Sequence, residues 1–194
     1  WSKDRDYWRH SSNRPPSEAS DFTTTYLVLR GLGSFATDEQ TETVAVRRKK
    51  ALKWLVESGS KETEERVFRL RALTYLKEGG DSRNATIKAL LESQHEGGGW
   101  SQLDQLDSDA YATGTVLVAL HRAGALKTTD PAYRRGLSYL LKTQQPDGSW
   151  YVKSRSKPFQ TYFESGFPHG PDQFISMAAS CWATMALIES VGSK

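Results

Sequence analysis

A short segment occurs twice at the same spacing: Gln94-His-Glu-Gly-Gly98-Gly-Trp100 and Gln144-Gln-Pro-Asp-Gly148-Ser-Trp150, both Q-x-x-x-G-x-W. Ordinary residue usage makes one chance match in a chain this long an event on the order of one in a hundred, and two far rarer. Each copy follows an apolar triplet, Ile87/Leu90/Leu91 before the first and Leu137/Leu140/Leu141 before the second. The i, i+3, i+4 spacing puts each triplet on one face of a helix. A third such face, Leu52/Leu55/Val56, precedes Glu57-Ser-Gly-Ser, which carries neither the Gln nor the Trp. Self-similarity on this scale implies stacked supersecondary units, each burying its apolar face against the next.

A second series lies between the first. Asp109, Thr113, Val116, Leu117 and Leu120 superpose without a gap on Asp21, Thr25, Val28, Leu29 and Leu32, and again on Ser176, Ser180, Ala183, Thr184 and Leu187. A weaker copy runs through Glu62, Arg66, Leu70 and Leu73. The chain thus alternates a small-residue, Thr-rich helix with a more amphipathic one. Gly31, Gly33, Gly59, Gly79-Gly80, Gly97 to Gly99, Gly124 and Gly148 are expected at or just beyond helix ends, where a left-handed residue terminates the ladder. Thr129-Asp130-Pro131 and Gly80-Asp81-Ser82 read as helix starts. Strand-like alternation is nearly absent, apart from a short extended stretch at Trp150 to Val152. The expected fold is all-α, about seven helices in hairpins.

The 194 residues, 37% hydrophobic and 25% charged, suit one ordinary globular domain. The most apolar stretch, Phe174 to Ile188, falls short of the about twenty positions that a membrane helix needs, so no span is expected. A single cysteine, Cys181, excludes an intrachain disulfide and a multi-thiolate zinc site, and reads as a small buried hydrophobe. The formal charge of +3 is scattered, unlike the basic stripe of a nucleic-acid binder. Residues 1–17, with Trp1, Tyr7, Trp8 and Pro15-Pro16, read as an arm before a domain at 18–194. Residues 151–172 form a long aromatic loop, and loops of that length in compact domains are commonly functional. The start at Trp1 suggests a piece of something longer.

The Q-x-x-x-G-x-W segments resemble the QW repeats of the terpene cyclase and protein prenyltransferase superfamily, the squalene-hopene cyclase group in particular, over most of residues 18–190. The resemblance implies an α/α toroid of alternating inner and outer helices around an apolar cavity. A full ring in that family takes about twelve helices, so about seven imply a partial one. Gln94, Gly98 and Trp100, with Gln144, Gly148 and Trp150, are then structural clamps: Gln bonds backbone at the next helix start, Gly permits the return and Trp covers the amide. Cyclases of the group protonate substrate with the middle Asp of D-x-D-D-T at an inner-helix start. The gapless match here is Asp109-Ala110-Tyr111-Ala112-Thr113, which keeps the first Asp and the Thr and places Tyr111 and Ala112 at the acidic positions. A phenol with a pKa of about 10 does not protonate an alkene. The prenyltransferase zinc needs Asp, Cys and His, and Ala178-Ala-Ser-Cys-Trp182 has no Asp two positions before the Cys.

Asp21 and Asp109 are expected either to cap their helices or to bind a ligand at the cavity mouth. Candidate catalytic residues are Asp109, Tyr111, Glu164 and His169; the last two flank Gly166-Phe167-Pro168 and are expected either to do acid–base chemistry or to order the loop or contact a partner. Phe159, Tyr162, Phe163, Phe167 and Trp182 suit a ligand lid or an interface. Arg66 and Arg69 either hold an anion or are solvated. His10, His95 and His121 show no ligand spacing, and no metal or cofactor is expected. The leading functional expectation is a non-cyclising toroid module, structural, protein-interacting or binding an apolar ligand, within a larger bacterial protein or complex. Its partner would be another subunit or a missing N-terminal domain. The resemblance extends to exported bacterial proteins, so an exported or periplasmic place is open. The alternative is a polyprenoid-processing enzyme, a divergent cyclase or prenyltransferase; a carbohydrate-active α/α barrel is weaker because the QW repeats oppose it.

Overall fold

The computed structural model describes residues 5–158 and 160–192; Trp1 and Phe159 lie outside them. The described residues are all-α, with seven α-helices and no strand: α1 (Asp21–Phe35), α2 (Thr41–Glu57), α3 (Thr63–Tyr75), α4 (Asp81–Glu92), α5 (Ala110–Arg122), α6 (Pro131–Thr143) and α7 (Gln173–Gly192). The extended stretch expected at Trp150 to Val152 pairs with nothing as a strand; an isolated bridge joins Trp100 to Asp109 instead. The chain divides into two compact units, Trp1–Ala89 and Leu90–Lys194, with the division inside α4.

In the first unit α1 lies against α3, and α2 touches both. Its core is Phe22, Tyr26 and Leu29 of α1, Ala51 and Leu55 of α2, and Val67, Leu70 and Leu73 of α3, each set at the i, i+3 or i+4 spacing that makes one face. Ser20, not Asp21, caps α1: its hydroxyl accepts the Thr23 N–H at 3.1 Å, and Asp21 is the first helical residue. Glu62 and Glu65 form a reciprocal capping box on α3, so the weak copy keeps its frame there. Half-buried Arg69 donates to the carbonyls of Leu55 (2.8 Å) and Val56 (3.1 Å) at the end of α2. Those carbonyls have no intrahelical partner, and burial lowers the Arg69 pKa from its ordinary value. Gly31 and Gly33 are not terminators but sit inside α1, Gly33 because the Tyr75 hydroxyl occupies the space of a Cβ.

The segment before α1 packs onto this unit. Trp8 is buried, and Tyr7 stacks on Trp54 of α2 at 4.4 Å between ring centroids.

In the second unit α5 is buried along Ala110–Leu120, with α7 beside it and α6 against both. The α5–α7 approach depends on Gly114, where a Cβ would meet the Trp182 carbonyl carbon at 2.7 Å. Asp130 and Pro131 open α6 as expected, and Tyr133 reaches across to donate its hydroxyl to the Ala186 carbonyl at 2.9 Å. Burial, helped by the charge of Glu189, pushes the Tyr133 pKa well above the ordinary tyrosine value.

Helix α7 departs from expectation twice. Together with the 3-10 turn before it, it spans 23 residues, Gly170–Gly192, and is long and apolar enough by length and composition to cross a membrane, whereas the apolar count gave only about fifteen positions. A core helix passes the same test but is mostly buried, whereas 22% of this window is: the inner face of α7, Gln173, Ser176, Ala179, Ala183 and Ala186, packs against protein, and the rest does not. Cys181 lies on the opposite, exposed face with Phe174 and Ile188, so it is not buried. Periodicity failed to orient the helix because both faces are apolar.

Candidate functional site

The two Q-x-x-x-G-x-W segments share a set of hydrogen bonds. The Gln side chain donates to the Gly carbonyl four residues on, Gln94 to Gly98 at 2.8 Å and Gln144 to Gly148 at 3.0 Å. Gly98 and Gly148 carry φ of 89° and 85°, the left-handed region that favours glycine. Gln94 also donates to the Ala132 carbonyl in the first turn of α6 (2.9 Å), the expected bond to the next helix start. Each indole is buried and donates to a carbonyl ten residues back in the preceding helix, Trp100 to Leu90 at 2.7 Å and Trp150 to Leu140 at 2.8 Å.

The Thr-rich helices complete the clamp. The Trp100 backbone N–H donates to Thr113 Oγ1 (2.9 Å), and the Trp150 N–H to Ser180 Oγ (3.0 Å). Trp8 does the same to Thr25 Oγ1 at 3.1 Å, so a third copy of the contact lies in residues read as an arm. The residue four positions earlier on each helix, Asp21, Asp109 or Ser176, serves the residue two beyond the Trp. Asp21 accepts the His10 N–H (2.9 Å), Ser176 the Val152 N–H (3.0 Å), and Asp109 the side-chain amide of Gln102 (2.9 Å).

Of these, Asp109 has the most developed surroundings. It caps α5, accepting the Ala112 N–H at 2.8 Å, while its own N–H donates to the Trp100 carbonyl at 3.0 Å. Gln102, itself buried, accepts from Arg155 Nε of the long loop at 2.9 Å. Burial raises the Asp109 pKa above the ordinary value, against the hydrogen bonds from Ala112 and Gln102 and the charge of Arg155, all of which favour the carboxylate. Tyr111 is buried in the first turn of the same helix. Tyr139 of α6 donates its hydroxyl to the Ser108 carbonyl (2.5 Å), and burial with the Asp109 and Asp107 charges pushes its pKa up to about 12. His95 Nδ1 meets Ser108 Oγ at 3.0 Å. Asp109 and Tyr111 therefore share one region with Gln102, Arg155 and Tyr139, which the sequence did not single out. The frame held a usable signal for Gln102, two residues past its Trp as Val152 is; Arg155 had none.

Glu164 and His169 do not pair. Glu164 is exposed and accepts from the Tyr162 hydroxyl (2.6 Å) and the Gly166 N–H (2.8 Å), which hold its pKa below the ordinary range. His169, with φ of 87°, places Nε2 at 2.7 Å from Ser149 Oγ, whose other partner is Asp147 Oδ1 at 2.6 Å. The buried hydroxyl sits between carboxylate and imidazole, which ties the end of the loop to the second Gly turn. It is not the order of a nucleophile, base and orienting acid. Phe163 is exposed, Phe167 meets the His169 ring edge at 6.3 Å, and Trp182 is half-buried beside Gly114. Asp21 is engaged by His10, whose Nδ1 lies 2.6 Å from Oδ1. Among the described residues no cluster of three His, Cys, Asp or Glu side chains has metal-binding geometry.

No family model matches the chain. Over 111 residues, 53% of its length, it is 32% identical to drimenyl diphosphate synthase of Streptomyces showdoensis, of which that stretch is 20%. The match covers about a fifth of that relative, and it is a similarity to a terpene-related enzyme.

Proposed function

We propose that this chain is a helical-hairpin repeat module of a terpenoid-related protein, one that holds an apolar polyprenoid ligand and does not itself protonate it. The observation that carries the terpenoid part is the similarity to drimenyl diphosphate synthase. The non-cyclising part rests on the chemistry around Asp109. Protonating an alkene needs a poised, protonated acid. Both Asp109 oxygens are engaged, Oδ1 by the Ala112 N–H as a helix cap and Oδ2 by the Gln102 amide, and its neighbour in the first turn is the weakly acidic Tyr111. In this reading Asp109 and Asp21 are anchors of the clamp, and the remaining hairpins of a toroid belong to another subunit or a further domain.

A second reading, a polyprenoid-processing enzyme, is favoured by the raised Asp109 pKa and by the relative being a synthase. Equilibrium binding separates the module from an inert scaffold. Titration with farnesol, followed by tryptophan fluorescence, is expected to saturate, and a response no different from that to an equally apolar straight-chain alcohol would count against a polyprenoid site.

A further inference from the structure

Three arginines from three helices gather on two tyrosines of the first unit. Arg30 of α1 and Arg71 of α3 both donate to the Tyr26 hydroxyl, at 3.1 and 3.2 Å. Arg71 also lies over the Tyr26 and Phe68 rings, its guanidinium carbon 4.7 and 4.8 Å from their centroids. Arg30 and Arg48 of α2 share the Tyr75 ring at 5.7 and 5.4 Å. Among the described residues neither Arg30 nor Arg48 meets a carboxylate. Like charges repel, so holding these guanidiniums against shared rings concentrates positive potential that an anion would relieve.

An open cleft of 510 Å³ adjoins Arg48 where α1 turns into α2, within the size range of small-molecule sites. Leu32, Ala36, Val44 and Ala45 supply an apolar wall, Thr37 and Thr41 a polar one, and Gly33, also in the lining, packs under the Tyr75 hydroxyl. The hydroxyl of Tyr75, whose ring Arg30 and Arg48 share, thus lies beside the cleft at Gly33, and Arg48 lines it directly. Asp38 is also in the lining and disfavours an anion beside it, which leaves the arginine end for a negative head.

We propose that the first unit binds a single-chain amphiphile with a phosphate head, the apolar tail lying in the α1–α2 cleft and the phosphate oxygens accepting from Arg30 and Arg48. A guanidinium fork matches phosphate geometry, and charge-assisted bonds of this kind are the strong ones. The site is argued from the arginines and the cleft alone and stands apart from the terpenoid reading.

Isothermal titration with octyl phosphate, octanol, inorganic phosphate and phosphatidylglycerol vesicles tests it. Octyl phosphate is expected to bind saturably, about tenfold tighter than inorganic phosphate or octanol. The double variant Arg30→Gln/Arg48→Gln is expected to weaken it by about tenfold or more, while Arg134→Gln on α6 leaves it unchanged. Equal affinity in the double variant, equal binding of octanol or of inorganic phosphate, or binding to vesicles alone would overturn the proposal. Should circular dichroism show the double variant unfolded, Arg30→Lys/Arg48→Lys keeps the charge and loses the fork; it is expected to weaken binding less, and an unchanged affinity there overturns the proposal equally.

Discussion

A buried N–H that loses its acceptor costs about 1–3 kcal/mol, because the desolvation penalty remains when the bond is gone. That rule makes the backbone bond from Trp100 to Thr113 Oγ1 a quantitative claim. Thr113→Val keeps the volume and removes the acceptor, and urea unfolding is expected to show a loss of about 1–3 kcal/mol. The same substitution at the half-buried Thr24, whose hydroxyl bonds only the Ser20 carbonyl of its own helix, is expected to cost less. Asp109 gives a second residue-scale test. Its folded pKa is raised by burial, so the native state binds a proton more tightly than the unfolded chain. The associated stability is fully present below the ordinary carboxylate pKa of about 4 and is lost as pH rises through the raised value. Asp109→Asn keeps the cap and removes the titration; its melting temperature is expected to lose that downward slope, and an unchanged slope would assign it to another group.

At the scale of elements, the α5–α7 pair depends on a missing side chain. Gly114 lets the Trp182 backbone approach to a distance no Cβ tolerates, so Gly114→Val is expected to destabilise by at least about 1–3 kcal/mol in thermal or chemical unfolding. An equal stability would mean that α7 slides without cost. The seven helices were legible because apolar spacing and capping residues agree over whole segments. The third tryptophan contact was not: six and two residues before Trp8 stand Ser2 and Asp6, where the other copies have Gln and Gly, although Thr25 was already in frame with Thr113. Cys181 was misplaced for the opposite reason, since an apolar outer face on α7 erases the contrast that orients a helix. Glu164 and His169 are near in sequence, yet Glu164 is satisfied by its own turn and His169 by Ser149 of the second Gly turn. Spacing in a loop carries no direction, whereas spacing in a helix does.

At the scale of the whole molecule, each of the two units has its own core, built from paired helices of the same two types. The repeat frame explains where the chemistry-bearing residues stand: Asp21 and Asp109 serve the segment two residues beyond a tryptophan, and ligand contact is not needed to account for either. The all-α class followed from the sequence; the candidate site followed only at Asp109 and Tyr111, because Arg155 arrives from a loop whose path no periodicity encodes. The central claim, a terpenoid-related module that does not protonate its ligand, is tested most directly by incubating the chain with squalene and with isoprenoid diphosphates and analysing the products. Unchanged substrate is expected from the native chain and from Asp109→Asn alike. A cyclised product that forms with the native chain and disappears in Asp109→Asn would contradict it and make Asp109 the acid.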